Sequence, residues 1–290
     1  MAKTYVLYNV EAGGGTINVK TEIAVLDVVY RDCVFVNMDD IKNYKVFLEG
    51  LEPADSIILC GGDGTLNYFV NAAKGLKLPR EVYYYAIGSG NDFARDLGHE
   101  AGDDPNYTIN RYLEELPTVT ANGRKLLFLN GVGYGIDGYC CQEGDRIREE
   151  NKKNRKKKKI NYTGIAIKGL LGRYQQTNAV VTVDGNRYEY EDVWLAPAMH
   201  GRYYGGGMMP APNQQRLGED KKLTLMVMHR KSKLGTLVLF PTLFKGTHVK
   251  HTKYITMLEG KEITVQFDRP TPLQVDGEVL QDVTEYTAKI

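Results

Sequence analysis

Ser56-Ile57-Ile58-Leu59-Cys60-Gly61-Gly62-Asp63-Gly64-Thr65-Leu66-Asn67 decides how this chain is read. An apolar run stops at two glycines, and Leu66, Phe69, Val70 and Ala73 then recur at helical spacing. The segment predicts a strand, a tight turn and a helix. Glycines let a backbone approach a ligand closely. The first turn of a helix offers N–H groups and a positive dipole end, which suits a phosphate. Asp63 stands where a carboxylate can hold Mg2+, directly or through water. Thr65 is placed to cap the helix and to donate to a phosphate oxygen. A plain strand-to-helix turn needs the glycines and the threonine, but not an aspartate wedged between glycines. The turn is neither a G-x-x-x-x-G-K-[ST] loop nor a G-x-G-x-x-G fingerprint.

Upstream, Tyr5 to Tyr8 reads as a strand ending at Asn9, before Gly13-Gly14-Gly15. Val19, Ile23 and Leu26 form one helical stripe; Ile41, Tyr44, Phe47, Leu48 and Leu51 form another, with a Cys33–Val36 strand between. Downstream, Val82 to Ile87 is a strand that runs into Gly88-Ser89-Gly90. Asn91 and Asp92 follow, either as ligand-facing groups or as N-caps of the next helix. Strands alternating with helices indicate a parallel sheet, whose adjacent C-terminal turns can face one nucleotide. This α/β domain is placed at 1–120. Residues 121–290 read as a mostly antiparallel β domain, from short apolar runs at Leu126–Leu129, Ala179–Val183, Val193–Ala196, Leu223–Met228 and Ile263–Phe267. One helix is expected there, around Tyr162 to Leu171.

The whole chain bounds these readings. It has 290 residues, 37 lysines and arginines against 36 acids, and a net charge of +1. That balance excludes a wholesale polyanion binder, and nucleic acid is not expected as a partner. Four cysteines without a C-x-x-C spacing do not form a disulfide framework or a zinc site, which fits a reducing cytosol. No signal peptide is expected, and no apolar run approaches a membrane span. Lys152 to Lys159 holds seven basic residues in eight. It reads either as a solvated loop or as a site attracted to anionic lipid, beside Ile165, Ile167, Leu170 and Leu171.

Taken in order, the motifs resemble the diacylglycerol kinase family, including sphingosine and ceramide kinase-like lipid kinases. The G-G-D-G-T-[LIV]-N core stands at Gly61 to Asn67, and G-[ST]-x-N-D-F-A-R at Gly88 to Arg95. Phe128 to Asp137 resembles the start of the family's second domain, and Asp276-Gly277-Glu278 its D-G-E. The family's opening N-P-x-[AS]-G is Asn9-Val10-Glu11-Ala12-Gly13, with the proline replaced. The resemblance implies an NAD kinase-like α/β domain with a parallel sheet, followed by a β-sandwich domain that takes the lipid.

It also implies Mg2+-dependent transfer from ATP to a lipid hydroxyl. Glu278 is then the general base, Asp63 part of the magnesium–water network, and Asp276 a further catalytic candidate. Asn9, Gly13, Gly61, Gly62, Asp63, Gly64, Thr65, Leu66, Asn67, Ser89 and Asn91 line the nucleotide. A second, structural Mg2+ falls on Leu217, Asp220 and Lys222, although Lys221 replaces the family's glycine. On the residues alone, Asp276-Gly277 reads first as a β-turn with a solvated glutamate beside it; the other motifs turn the reading to catalysis. A soluble-metabolite kinase such as an NAD kinase, and a non-catalytic lipid- or nucleotide-binding relative, are the alternatives. The expected setting is cytoplasmic, at the inner face of a membrane that presents the lipid substrate; a homodimer stays open.

Overall fold

A computed structural model describes residues 2–10, 19–30, 32–154 and 160–290. They form two compact units, Met1–Glu115 and Leu116–Ile290.

The first unit contains β1 (Thr4–Tyr8), α1 (Val19–Val29), β2 (Cys33–Asn37), α2 (Tyr44–Glu49), β3 (Ser56–Gly61), α3 (Asp63–Ala72), β4 (Glu81–Ala86), α4 (Asp92–Asp96) and α5 (Asn110–Leu113). Its sheet is parallel, in the order β2-β1-β3-β4. The chain leaves β1 toward β2 on one side and leaves β3 toward β4 on the other. The order therefore reverses between β1 and β3, the place where open α/β sheets bind ligands at their C-terminal edge. Apolar residues on both strand faces make this possible: Val6, Ile58, Cys60 and Ile87 pack against Val19, Ile23 and Leu26 of α1. Leu66 and Phe69, the inward stripe of α3, are fully buried.

The second unit contains β5 (Thr118–Ala121), β6 (Arg124–Leu127), β7 (Gly131–Tyr134), α6 (Ile136–Lys153), α7 (Tyr162–Lys168), β8 (Thr177–Val183), β9 (Asn186–Val193), β10 (Ala198–Met199), β11 (Leu223–Met228), α8 (Lys233–Phe244), β12 (Ile255–Gly260), β13 (Glu262–Val275) and β14 (Glu278–Lys289). Its pairings are antiparallel, in the order β12-β11-β10-β7-β13-β14-β5-β6, with β8 on β13 and β9 on β8. β13 serves two layers. Its first half pairs with β8, and Leu273–Val275 pair with β7. The register shifts between Gln266 and Thr271, where Pro270 cannot donate to a ladder, and the strand turns the corner there. Three hairpins use two residues of positive φ: Asn122-Gly123, Asp184-Gly185 and Asp276-Gly277. That is the backbone of the tight I′ turn, which favours Asn or Asp followed by Gly.

Three expectations change. The sequence divides the domains after residue 120, but β5 pairs with β14, so Thr118–Ala121 belong to the second unit. The second unit has two helices beyond the expected one: α6, whose charged Glu143–Glu150 stretch hides its apolar face, and α8, which is apolar on nearly every side. The strand expected at Val193–Ala196 ends at Val193, and Leu195 beyond it makes only isolated bridges to Gly135 and Met228.

Candidate functional site

Two glycine turns meet at the C-terminal edge of the parallel sheet. Gly61 ends β3 beside Ala86 of β4, and the Ile87 N–H donates to the Gly61 carbonyl at 3.0 Å. The turns then touch. A Cβ on Gly88 would stand 2.3 Å from the Gly62 Cα, and one on Gly62 3.0 Å from the Gly88 Cα. Both glycines are thus required by backbone contact between the loops, before any ligand is considered. Gly64 differs, because a Cβ there would meet nothing within 4 Å. It lies in the first turn of α3, where N–H groups lack intrahelical partners. Asn9 leaves the same edge, directly after Tyr8, which is in register with Cys60.

Asp63 joins the two turns. Its Oδ2 accepts the Asp92 N–H at 2.9 Å and its Oδ1 the Phe93 N–H at 2.8 Å. The carboxylate therefore caps α4 from the neighbouring loop, and half-buried Asp63 is not the isolated exposed turn residue that the sequence suggests. Asn91, the N-cap position of α4, has φ +53° and makes no cap bond of its own. Its side chain instead closes the Gly88 turn, accepting the Gly88 N–H at 2.9 Å and donating to the Gly88 carbonyl at 2.8 Å. Thr65 is not the cap of α3 either. The N-cap is Gly62 without a side-chain bond, and Thr65 packs its side chain under Gly61.

Leu66 and Asn67 face inward. Leu66 is fully buried, and Asn67 accepts the Asn71 side-chain amide on both its carbonyl and its Oδ1. Ser89 is exposed at the tip of the second turn. Gly13 lies outside the described residues. One functional candidate escapes the motif reading: Tyr84 donates to the Gly61 carbonyl at 3.2 Å, while Asp92, part of the second glycine motif, is buried beside Asp63. Burial, with Asp63 and Asp92 nearby, holds the Tyr84 phenol neutral by pushing its pKa well up.

The second unit carries the D-G-E segment on the β13–β14 hairpin. Asp276 sits at φ +47° and its carboxylate accepts three N–H groups, Leu129 at 2.5 Å, Asn130 at 2.9 Å and Gly131 at 3.0 Å. The same loop is held from the other side: His200 contacts the Leu129 carbonyl at 3.0 Å, and Arg216 bonds that carbonyl and Asn130 Oδ1. Asp276 and the Leu129–Gly131 loop lie within the quoted motifs; His200 and Arg216, which the sequence did not single out, reach the loop from segments distant in sequence. Glu278 is the first residue of β14 and is half exposed. Its Oε1 accepts from Arg124 at 2.7 Å.

Asp137 opens α6 and is buried. Its Oδ2 accepts the Tyr204 hydroxyl at 3.1 Å, and Gly133 leaves room for it, since a Cβ there would overlap that oxygen. Burial pushes the carboxyl up to about 6, against the opposing pull of the Gly138 N–H, Tyr204 and Gln274.

Around Leu217, Asp220 and Lys222 the chain pairs its polar groups locally. The exposed Asp220 carboxylate holds the Lys222 ammonium at 3.2 Å, and the Lys222 carbonyl accepts from Gln214 at 2.8 Å. Lys221, the residue in place of glycine, takes φ +45°. Among the described residues no three His, Cys, Asp or Glu side chains come together in one cluster.

The first unit thus carries two touching glycine turns where β3 and β4 end, and it is followed in sequence by an antiparallel β-sandwich. Comparison with known proteins identifies the family. Residues 3–121 match the diacylglycerol kinase catalytic domain, and residues 132–288 the YegS C-terminal NAD kinase beta sandwich-like domain. A Mycobacterium tuberculosis protein named diacylglycerol kinase is 26% identical over 202 residues, 68% of this chain and 62% of that protein. YtlR of Bacillus subtilis, named as a presumed lipid kinase, is 23% identical over 232 residues, 77% of this chain and 74% of its own. The crystal structure of a presumed diacylglycerol kinase from Bacillus anthracis shares the fold, with a TM-score of 0.65 at 21% identity over 99% of this chain and 93% of that one. The chain belongs to the diacylglycerol kinase family and is an enzyme of the lipid kinase type.

Proposed function

We propose that the chain transfers the γ-phosphoryl group of ATP to a hydroxyl of diacylglycerol or a similar lipid, with Mg2+, at the inner face of a membrane. The observation that carries this reading is the open face at Gly64, between the first turn of α3 and the touching glycine turns. A phosphate chain fits there because the backbone is unobstructed and the helix dipole favours negative charge. Asn9 and Ser89 lie at the same sheet edge as polar partners.

The residues also fit a hydrated magnesium ion. Asp63 accepts the Asp92 and Phe93 N–H groups, and a carboxylate offers about four acceptor positions, so the group suits a metal-bound water while it caps α4. When bound, the ion neutralises charge on the transferring phosphoryl group.

Glu278 is the proposed base. Arg124 holds Oε1 and orients the carboxylate, leaving Oε2 to take the proton of the lipid hydroxyl as it attacks. Asp276 is a positioning residue: it fixes the hairpin from which Glu278 projects. Labelled ATP assayed against lipids in mixed micelles, with NAD and sugars as controls, tests the reading. Label is expected in a lipid, and only with Mg2+ present. Glu278→Gln is expected to lower kcat by ~10²–10⁴-fold with ATP affinity near normal. Labelled NAD without labelled lipid overturns it.

A further inference from the structure

The second unit carries an apolar surface that its own core does not explain. On α8, Thr236, Leu239 and Leu243 are buried, while Leu234 is 72% and Val238 79% exposed. Leu234, Val238 and Pro241 follow one another at i, i+4 and i+7, so they form one outward stripe. No charged residue interrupts α8 between Lys233 and Lys245. A helix apolar on every side is ordinarily covered on every side; this one is covered on one. Its neighbour repeats the pattern. Ala166 and Leu170 share a core cluster with Leu239 and Leu243, while Ile167 and Leu171 are exposed.

The charge around this surface has one sign. From Arg230 to Leu258 the sequence has six lysines and arginines and no acid, and from Asn151 to Val183 it has again no acid. The chain as a whole is balanced, at 37 cations against 36 acids, so this is a local segregation of charge. Lys168, Lys233, Lys245, Lys250 and Lys253 are exposed, and none makes an ion pair among the described residues. Arg230 is held by Glu191, and the Lys231 ammonium lies over the Tyr254 ring at 3.7 Å. Lys233 and Lys245 stand at the two ends of the α8 stripe.

We infer that the outward face of α8, with the adjoining turn at Leu171, docks on an anionic lipid bilayer. Leu234, Val238 and Pro241 enter the interface while Lys233 and Lys245 meet the headgroups. A second copy of this chain is the poorer occupant, because two such faces would bring like-charged lysines together. The inference deepens the lipid-kinase reading, since it gives the enzyme a way to sit where a lipid hydroxyl is presented. It is measured without catalysis.

The test is flotation of the full chain with phosphatidylglycerol-rich vesicles and with phosphatidylcholine vesicles. Binding is expected on the anionic vesicles and is expected to fall with salt. Lys233→Gln with Lys245→Gln is expected to weaken it about fivefold per lysine. Leu234→Ser with Val238→Ser is expected to weaken it about tenfold or more. All four side chains are exposed, so circular dichroism should match the parent. Both double variants should still phosphorylate lipid in detergent micelles. Parental binding by both variants, or equal binding to both vesicles, overturns the inference. So does a dimer that Leu234→Ser with Val238→Ser dissociates without changing vesicle binding. Vesicle binding as expected with no phosphorylated lipid leaves the surface standing and removes only the kinase reading.

Discussion

Asp63 in the first unit and Asp276 in the second do the same local work in different settings. Each is an aspartate beside a glycine, each was a catalytic candidate, and each proves to hold a loop through its backbone N–H groups. Asp63 takes two N–H groups at the mouth of a helix, next to the open side of Gly64. Asp276 takes three, from the buried Leu129–Gly131 loop, while Glu278 beside it stays half exposed. Asp184 in the β8–β9 hairpin likewise accepts the N–H groups of Lys261 and Glu262, with no catalytic motif attached. Clasping backbone is thus what an aspartate in a tight turn does. A functional role rests on what lies next to the clasp: open space at Asp63, a solvent-reaching carboxylate at Asp276.

The largest effect should come from breaking the second clasp. Asp276→Ala leaves three buried N–H groups without their charged acceptor, and we expect the second unit to lose roughly 3–5 kcal/mol. Trp194, the only tryptophan, is fully buried in that unit and reports its urea unfolding by fluorescence. Asp276→Asn keeps a shape tolerant of positive φ and should be milder. A stable Asp276→Ala would mean that the clasp does not hold the loop.

Next comes Asp137, a carboxylate whose burial outweighs its hydrogen bonds. Its pKa is raised from 3.8 to about 6. The unfolded chain ionises first, so the folded state loses stability as pH rises from about 4 to about 6 and gains nothing above that. The shift corresponds to roughly 3 kcal/mol. Asp137→Asn should therefore raise stability at pH 8 and change it little at pH 4, by the same tryptophan signal. A pH-independent difference would show that the carboxyl is not neutralised by burial.

Asp63→Ala should be smaller in stability and larger in function. Loss of a cap costs about 1–2 kcal/mol, confined to the first unit. Hydrogen exchange at the Asp92 and Phe93 amides should rise, and lipid phosphorylation should fall far more than that cost explains. Retained turnover with faster exchange would leave Asp63 as a clasp alone. The smallest structural effect belongs to Glu278→Gln. Its pair with Arg124 is half exposed, so less than about 1 kcal/mol is at stake. A variant that unfolds early would transfer Glu278 from chemistry to scaffolding.

Much of the first unit was legible because its signals are local. Strand, glycine turn and helix follow one another within Ser56–Ala73, and the same order recurs at Glu81–Asp96. The hairpin at Asp184-Gly185 was legible for the same reason. α8 was not, since an all-apolar helix containing Pro241 carries no period to read. Nor was the edge of the second domain, because β5 finds its partner β14 at the far end of the chain. Thr65 illustrates the limit at single residues: its sequence position allows a cap, but the space beneath Gly61 takes its side chain.

The sequence by itself determined the two-part architecture, the glycine turns and the residue types at the proposed site, because turn chemistry and hydrophobic period act over a few residues. Only the tertiary structure decided what those residues hold. Asp63 meets Asp92 and Phe93, and Asp276 meets Leu129 to Gly131, because the order of strands in a sheet sets which loops become neighbours. A carboxylate in a crowded turn takes the nearest unpaired N–H groups, since leaving them unpaired is costly.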